Sequence, residues 1–180
     1  MRAIVRAADR VSYLCGVLAA ILVITLVVLM LYDVVLRYAF NAPTTWGNDL
    51  NTFLMGSSFV LSIAYALSTD AHVRVDLLYN ERTRPRLAYI DLVGMTLIVL
   101  PAVAWISWGL LVHLEDAIRT GERTGSGGWN PVVWPFRAVM FVGFVIFTIQ
   151  IVAEIIKRIA WIIGRPFDAA VAEPQDHHAV

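Results

Sequence analysis

The residues that could do chemistry in this chain are few, and the histidines are the first to consider. A haem held between helices would need histidine ligands that face each other across the helices. The four histidines lie at the edges of predicted loops or near the C-terminus: His72, His113, His177 and His178. The single cysteine, Cys15, lies inside an apolar run and has no second cysteine for an internal disulfide. The sequence therefore predicts no catalytic residue, no cofactor and no metal site.

Charged residues inside a membrane span usually mark an ion or substrate pathway, because a charge at that depth is costly. Five such residues border the apolar stretches of this chain: Asp33, Asp49, Asp91, Arg137 and Glu154. All five lie near the ends of those stretches, where a side chain can extend to the membrane surface. The middle thirds of the stretches carry no charge. We therefore expect a protein that is not an enzyme and that does not move a polar solute by itself.

The elements that carry these residues are four long apolar stretches. Of the 180 residues, 59% are hydrophobic and 16% are charged, whereas a soluble domain has about 25% charged residues. A spanning helix needs roughly 20 apolar residues, and the stretches lie at about residues 11–36, 50–67, 87–111 and 132–156. The sequence predicts an all-α membrane protein with one four-helix domain over residues 1–165 and a disordered cytoplasmic tail over 166–180.

The arginine and lysine residues predict the orientation of the four spans. The N-terminal flank holds three of the 14 basic residues, the connection between the second and third spans holds four, and the C-terminal flank holds three. These flanks lie on one side of the membrane, and the remaining four basic residues belong to the other side. Basic flanks stay in the cytoplasm, so both termini are expected there. The formal net charge is zero, which gives no reason to expect a nucleic-acid partner.

Small residues on the first two spans suggest close helix packing. Ser58, Ser62 and Ala66 recur at four-residue spacing on the second span, and Gly16 and Ala20 do so on the first. Such spacing lets two helix backbones approach each other. The neighbour is either a larger partner protein or another helix of the same bundle, and the sequence leaves both open.

Two polar regions are expected on the outer side. Asp33 and Arg37 are four residues apart in the acid-first order that favours a helical ion pair, and Asp49 follows at the start of the next span. They either organise the outer surface or form a local pair of little energetic value. The segment 113–131 carries mixed charge and Trp129, and it is either a contact for a soluble protein or a solvated connection.

The order of three motifs resembles the DctQ-like family, the small membrane subunit of tripartite ATP-independent periplasmic (TRAP) transporters. The motifs are RYAFNAPTTW from Arg37 to Trp46, AHVRVD from Ala71 to Asp76, and WNPVVWPFR from Trp129 to Arg137. The family typically has an acidic pair shortly after the first tryptophan. Here that place reads Gly-Asn-Asp over residues 47–49, so an amide replaces one carboxylate.

The resemblance implies a function that the residues alone do not. Such a subunit pairs, in the bacterial inner membrane, with a large multi-spanning permease that holds the substrate and sodium sites and moves as an elevator. A periplasmic binding protein brings the solute, often a small organic acid, to the outer face. The small subunit is then a non-catalytic scaffold in contact with its partners and with membrane lipids. The candidate residues for the partner interface or polar clusters are Asp33, Arg37, Trp46, Asp49, Ser58, Ser62, His72, Asp76, Trp129 and Arg137.

Two other classes of protein compete with this interpretation. A membrane anchor of an enzyme complex would be expected to bind haem or quinone. A channel formed by this chain alone would need a polar stripe along one span, and the nearest is a thin one on the second span.

Overall fold

A computed structural model of the protein describes residues 2–69, 92–125 and 128–162. The segment that contains His72, Asp76 and Asp91, and the predicted tail, lie outside the described residues. The four helices are α1 (Arg2–Ala39), α2 (Gly47–Ser68), α3 (Leu92–Thr120) and α4 (Trp134–Ile162). All four are long and apolar enough to cross a membrane. The predicted all-α membrane fold is therefore confirmed, whereas the cytoplasmic placement of both termini stays a prediction.

The helix ends follow local rules. Gly121 ends α3 in the left-handed conformation, with φ of 61°, which glycine adopts without a steric penalty. Pro135 is the second residue of α4, where its missing N–H is not needed by the helix. Between the described ends of α3 and α4, Arg123 and Val132 form an isolated antiparallel bridge.

The helices do not surround a common centre evenly. α1 packs along α2, α2 packs on α4, and α4 also contacts α1 and α3. Among the described helices, α3 contacts α4 and neither α1 nor α2. In the most apolar 18-residue stretch of each helix, 28% of the stretch is buried in α2 and in α4, but only 11% in α1 and in α3. Large apolar faces of α1 and α3 are therefore left open by the described helices.

Glycines mark the closest helix contacts. A methyl group on Gly16 would lie 2.6 Å from Cγ of Tyr65, which joins α1 to α2. One on Gly56 would lie 2.7 Å from Cζ of Phe136, whose ring stacks on Phe53 with centroids 4.9 Å apart. The sequence left open whether the small residues serve a partner or the bundle, and at Gly16 the neighbour is the bundle itself.

The third helix is irregular near its start. Met95–Val99 is a π-helical segment, and α-helical geometry continues from Leu100 through Pro101. A proline inside a helix favours a kink or an irregular turn, and Pro101 lies two residues beyond this segment.

Candidate functional site

The first polar cluster joins the C-terminal end of α1, which the sequence predicts to be its outer end, to the connection 40–46. The Asp33 carboxylate accepts hydrogen bonds from the Thr44 hydroxyl and from the Thr44 backbone N–H, the latter at 3.1 Å. Its other oxygen is 2.8 Å from Nη2 of Arg37. Asp33 is nearly buried, with 13% of its side chain exposed, while 55% of Arg37 is exposed. The carboxylate therefore fixes the connection to the helix, and the arginine presents its charge outwards.

Aromatic packing supports the same connection. The ring of Trp46 stacks on Tyr32, with centroids 6.4 Å apart. Asp49 lies on the first turn of α2 and is buried, with 2% exposed. The structure thus brings Asp33, Arg37 and Trp46 together, whereas Asp49 lies inside the bundle.

The second polar cluster centres on Arg137 of α4. Its guanidinium donates to the His113 carbonyl at 2.8 Å and to Oε1 of Glu122 at 2.7 Å. The backbone of Val133 also donates to the Glu122 carbonyl at 2.9 Å. Because His113 is in α3, one arginine joins α3, α4 and the connection between them. Arg137 therefore supports the structure of the outer connection.

The connections 40–46 and 121–133 lie against each other. A methyl group on Gly128 would be 3.1 Å from Cβ of Thr45. Next to Gly128, 48% of Trp129 is exposed. The Asp33 cluster and the Arg137 cluster therefore border one surface at this end of the bundle, which is called the outer surface after its predicted orientation. The candidates Ser58 and Ser62 lie further along α2, where each hydroxyl donates to a carbonyl of its own helix.

A third polar cluster lies near the other end of the bundle, between α1 and α4. Lys157 Nζ is 2.7 Å from Oδ1 of Asp9 and 2.8 Å from Oε1 of Glu154. The Gln150 amide donates to the same two oxygens at 2.9 and 3.3 Å, and it accepts from the Ser12 hydroxyl at 2.9 Å. These five side chains are the inner cluster.

The inner cluster corrects one expectation from the sequence. Glu154 was expected to extend to the membrane surface, but it is 6% exposed and bonded to Gln150 and Lys157 of its own helix, and Gln150 is fully buried. Desolvated groups of this kind need partners. Gln150 and Lys157 supply them to Glu154, while Ser12 and Asp9 of α1 bond to Gln150. The signal was present in the spacing, because Gln150, Glu154 and Lys157 recur at four and three residues on one helix face.

The chemistry available to these clusters is hydrogen bonding between helices. Among the residues that the structure describes, no group of three histidine, cysteine, aspartate or glutamate side chains is placed to hold a metal ion. The carboxylates of Asp9 and Glu154 are engaged by Lys157 and Gln150. The clusters hold helices and connections in register.

Replacing Arg137 by methionine is expected to loosen the outer connection. The change removes the donors to the His113 carbonyl and Glu122 while keeping an apolar stem of similar length. We expect proteolysis within residues 121–133 to accelerate several-fold in a detergent-solubilised sample. The matched control is Arg119→Met, which removes an exposed arginine of α3. Equal cleavage rates for the two variants would contradict the role given to Arg137.

Four apolar spanning helices, with polar groups joined to one another at the helix ends, define a multi-pass membrane protein. The family model for the DctQ component of tripartite ATP-independent periplasmic transporters matches residues 26–160, well over half of the chain. The chain therefore belongs to the DctQ family, and it is a transporter component rather than an enzyme. The resemblance seen in the three sequence motifs is confirmed. No curated protein and no solved structure matches the chain.

Proposed function

We propose that this chain is the non-catalytic scaffold of its transporter. In this proposal it enlarges the fixed part of a large permease subunit, which itself holds the substrate and sodium sites. The proposal rests on two observations taken together. The chain belongs to the DctQ family, and the described helices leave large apolar faces of α1 and α3 open. On α1, 65% of Ile24 and 63% of Leu31 are exposed, and on α3, 80% of Trp105 is exposed. Four helices arranged in this way leave room for a second membrane protein.

The outer surface is the proposed contact for a soluble periplasmic binding protein. It combines the exposed charge of Arg37 with aromatic side chains, of which Tyr38 is 83% exposed and Phe40 70%. Aromatic and arginine side chains are enriched where proteins bind each other. The candidates Asp33, Trp46, Trp129 and Arg137 support this surface or lie on it. Asp49, Ser58 and Ser62 are assigned to the helix bundle, and His72 and Asp76 to the opposite, cytoplasmic connection.

The proposal also includes the orientation of the four spans in the membrane and the kind of solute that the transporter takes up. The basic flanks support placing both termini in the cytoplasm of a bacterial inner membrane, with residues 1–165 as the membrane domain and 166–180 as a disordered tail. Sodium coupling and uptake of a small organic acid are supported by the family resemblance. The selectivity is proposed to reside in the other chains.

The test is uptake in cells that express the large permease subunit and the binding protein, with and without this chain. We expect uptake to fall to background when this chain is deleted and to return when it is restored. Replacing sodium with choline should also abolish uptake. In parallel, an affinity tag on this chain should retain the large subunit through mild detergent extraction. Full uptake after deletion would overturn the scaffold function.

A further inference from the structure

The hydrogen-bond ladder of α3 is broken beside Pro101. The Leu100 N–H donates to the Met95 carbonyl, five residues earlier, whereas a regular α-helix would direct it to Thr96. The donor that could reach Thr96 with the wider π-helical spacing is at position 101, where proline has no N–H. Within the described part of α3, the Thr96 carbonyl is therefore left without a backbone donor.

This carbonyl lies on an open apolar surface. Thr96 is exposed, and its neighbours Leu97 and Ile98 are 69% and 70% exposed. The helix belongs to a candidate membrane span, and lipid tails cannot donate a hydrogen bond. A carbonyl in such surroundings destabilises the protein unless a hydrogen-bond donor reaches it. The threonine hydroxyl adds a second polar group at the same place.

The surroundings leave space for a helix from another chain. A methyl group on Gly94 would meet no atom of the described residues within 4 Å, and the same is true of Gly109. Further along α3, Trp105 and Trp108 are 80% and 68% exposed. Because α3 contacts α4 alone among the described helices, none of this surface is covered by α1 or α2.

We propose that the Thr96 carbonyl is a docking acceptor for a membrane helix of the large permease subunit, which contributes a hydroxyl, amide or indole donor. The inference rests on the proposed scaffold function and adds the place of contact. A protein helix fits better than a lipid headgroup, because the sequence from Leu92 to Val112 has no charged residue that would attract one. The open Gly94 allows the close backbone approach that such a bond requires.

The decisive variant is Pro101→Ala, which supplies an N–H to α3 and closes the acceptor within the helix. The tagged chain is co-expressed with the large subunit, and the amount of large subunit retained after mild detergent extraction is measured. We expect about a fivefold loss of retention, the effect of one hydrogen bond, with no loss of thermal stability in this chain alone. Pro135→Ala is the matched control, because its proline is at a helix start, and it should retain the wild-type amount.

The outcomes separate this inference from the scaffold function. If wild-type protein does not retain the large subunit, the scaffold function fails. If wild-type and Pro101→Ala protein retain it equally, only the docking acceptor is overturned. A benzophenone amino acid in place of Leu97 gives an independent measurement, and we expect a cross-link to the large subunit. A cross-link to lipid alone, or to a second copy of this chain, would overturn the inference.

Discussion

Replacing Lys157 by methionine should destabilise the helix bundle by about 2 kcal/mol, less than the loss of a partner from a fully buried ion pair, because 21% of Lys157 and 33% of Asp9 are exposed. Lys157 Nζ lies within 2.8 Å of carboxylate oxygens on both Asp9 and Glu154. Methionine keeps the apolar stem but leaves the two carboxylates close together with Gln150 as their shared donor. We expect a lower midpoint of thermal unfolding in detergent and a loosened contact between α1 and α4.

The double variant Asp9→Asn with Lys157→Met is the control for this prediction. It removes one negative charge along with the positive one, so a substantial part of the lost stability should return, because neutral replacements of buried ion pairs cost little. Lys157 is the only lysine of the chain, which gives a second measurement. In the folded wild-type protein its amine should react more slowly with an acylating reagent than the same amine does in the chain unfolded with denaturant. If Lys157→Met unfolds at the wild-type temperature, the inner cluster does not stabilise the bundle.

The helices themselves could be predicted from hydropathy, because each span must satisfy its backbone hydrogen bonds internally. Their ends could not be predicted in the same way. The first apolar stretch begins near residue 11, yet α1 already begins at Arg2. A helix continues beyond the apolar region wherever its side chains find partners, and Asp9 finds them on α4. Hydropathy measures the apolar region and does not detect this extension.

Polar contacts were predictable when they were local. Asp33 and Arg37 are four residues apart, and their ion pair follows from helix geometry. Arg137 instead donates to the carbonyl of His113, 24 residues away, and no pattern of residue types identifies a backbone acceptor. The inner cluster was missed for a related reason. The spacing of its residues on α4 is visible in the sequence, but the sequence does not show that α1 lies opposite them.

The glycines of the helices look alike in the sequence, but the structure gives them different surroundings. By residue type alone, Gly16, Gly94, Gly109 and Gly143 are equally places where a neighbouring helix could approach closely. The structure separates them, because Gly16 and Gly143 are closed by side chains of α2, whereas Gly94 and Gly109 on α3 are open. The closed pair serves the bundle, and the open pair lies on the surface proposed for the large subunit.

Replacing Gly143 by alanine is expected to destabilise the isolated chain by about 2 kcal/mol, within the range for overpacking a core. The added methyl group would collide with Cγ1 of Val60, and it would lie 3.5 Å from Val60 Cβ. Valine in a helix has one strongly preferred rotamer, so the side chain cannot easily turn away. The helices α2 and α4 would have to separate, which would disturb the adjoining contact of Gly56 with Phe136.

The matched control is Gly109→Ala on α3, where no atom of the described part of the chain lies within 4 Å of the added methyl group. It should leave the chain at least as stable, since alanine favours a helix over glycine by up to about 1 kcal/mol. Adding Val60→Ala to Gly143→Ala should restore part of the stability, because the methyl group is then accommodated by the space that valine occupied. Thermal unfolding of the three variants in one detergent measures the difference. Equal destabilisation by Gly143→Ala and Gly109→Ala would mean that the α2–α4 contact is not the close approach described here.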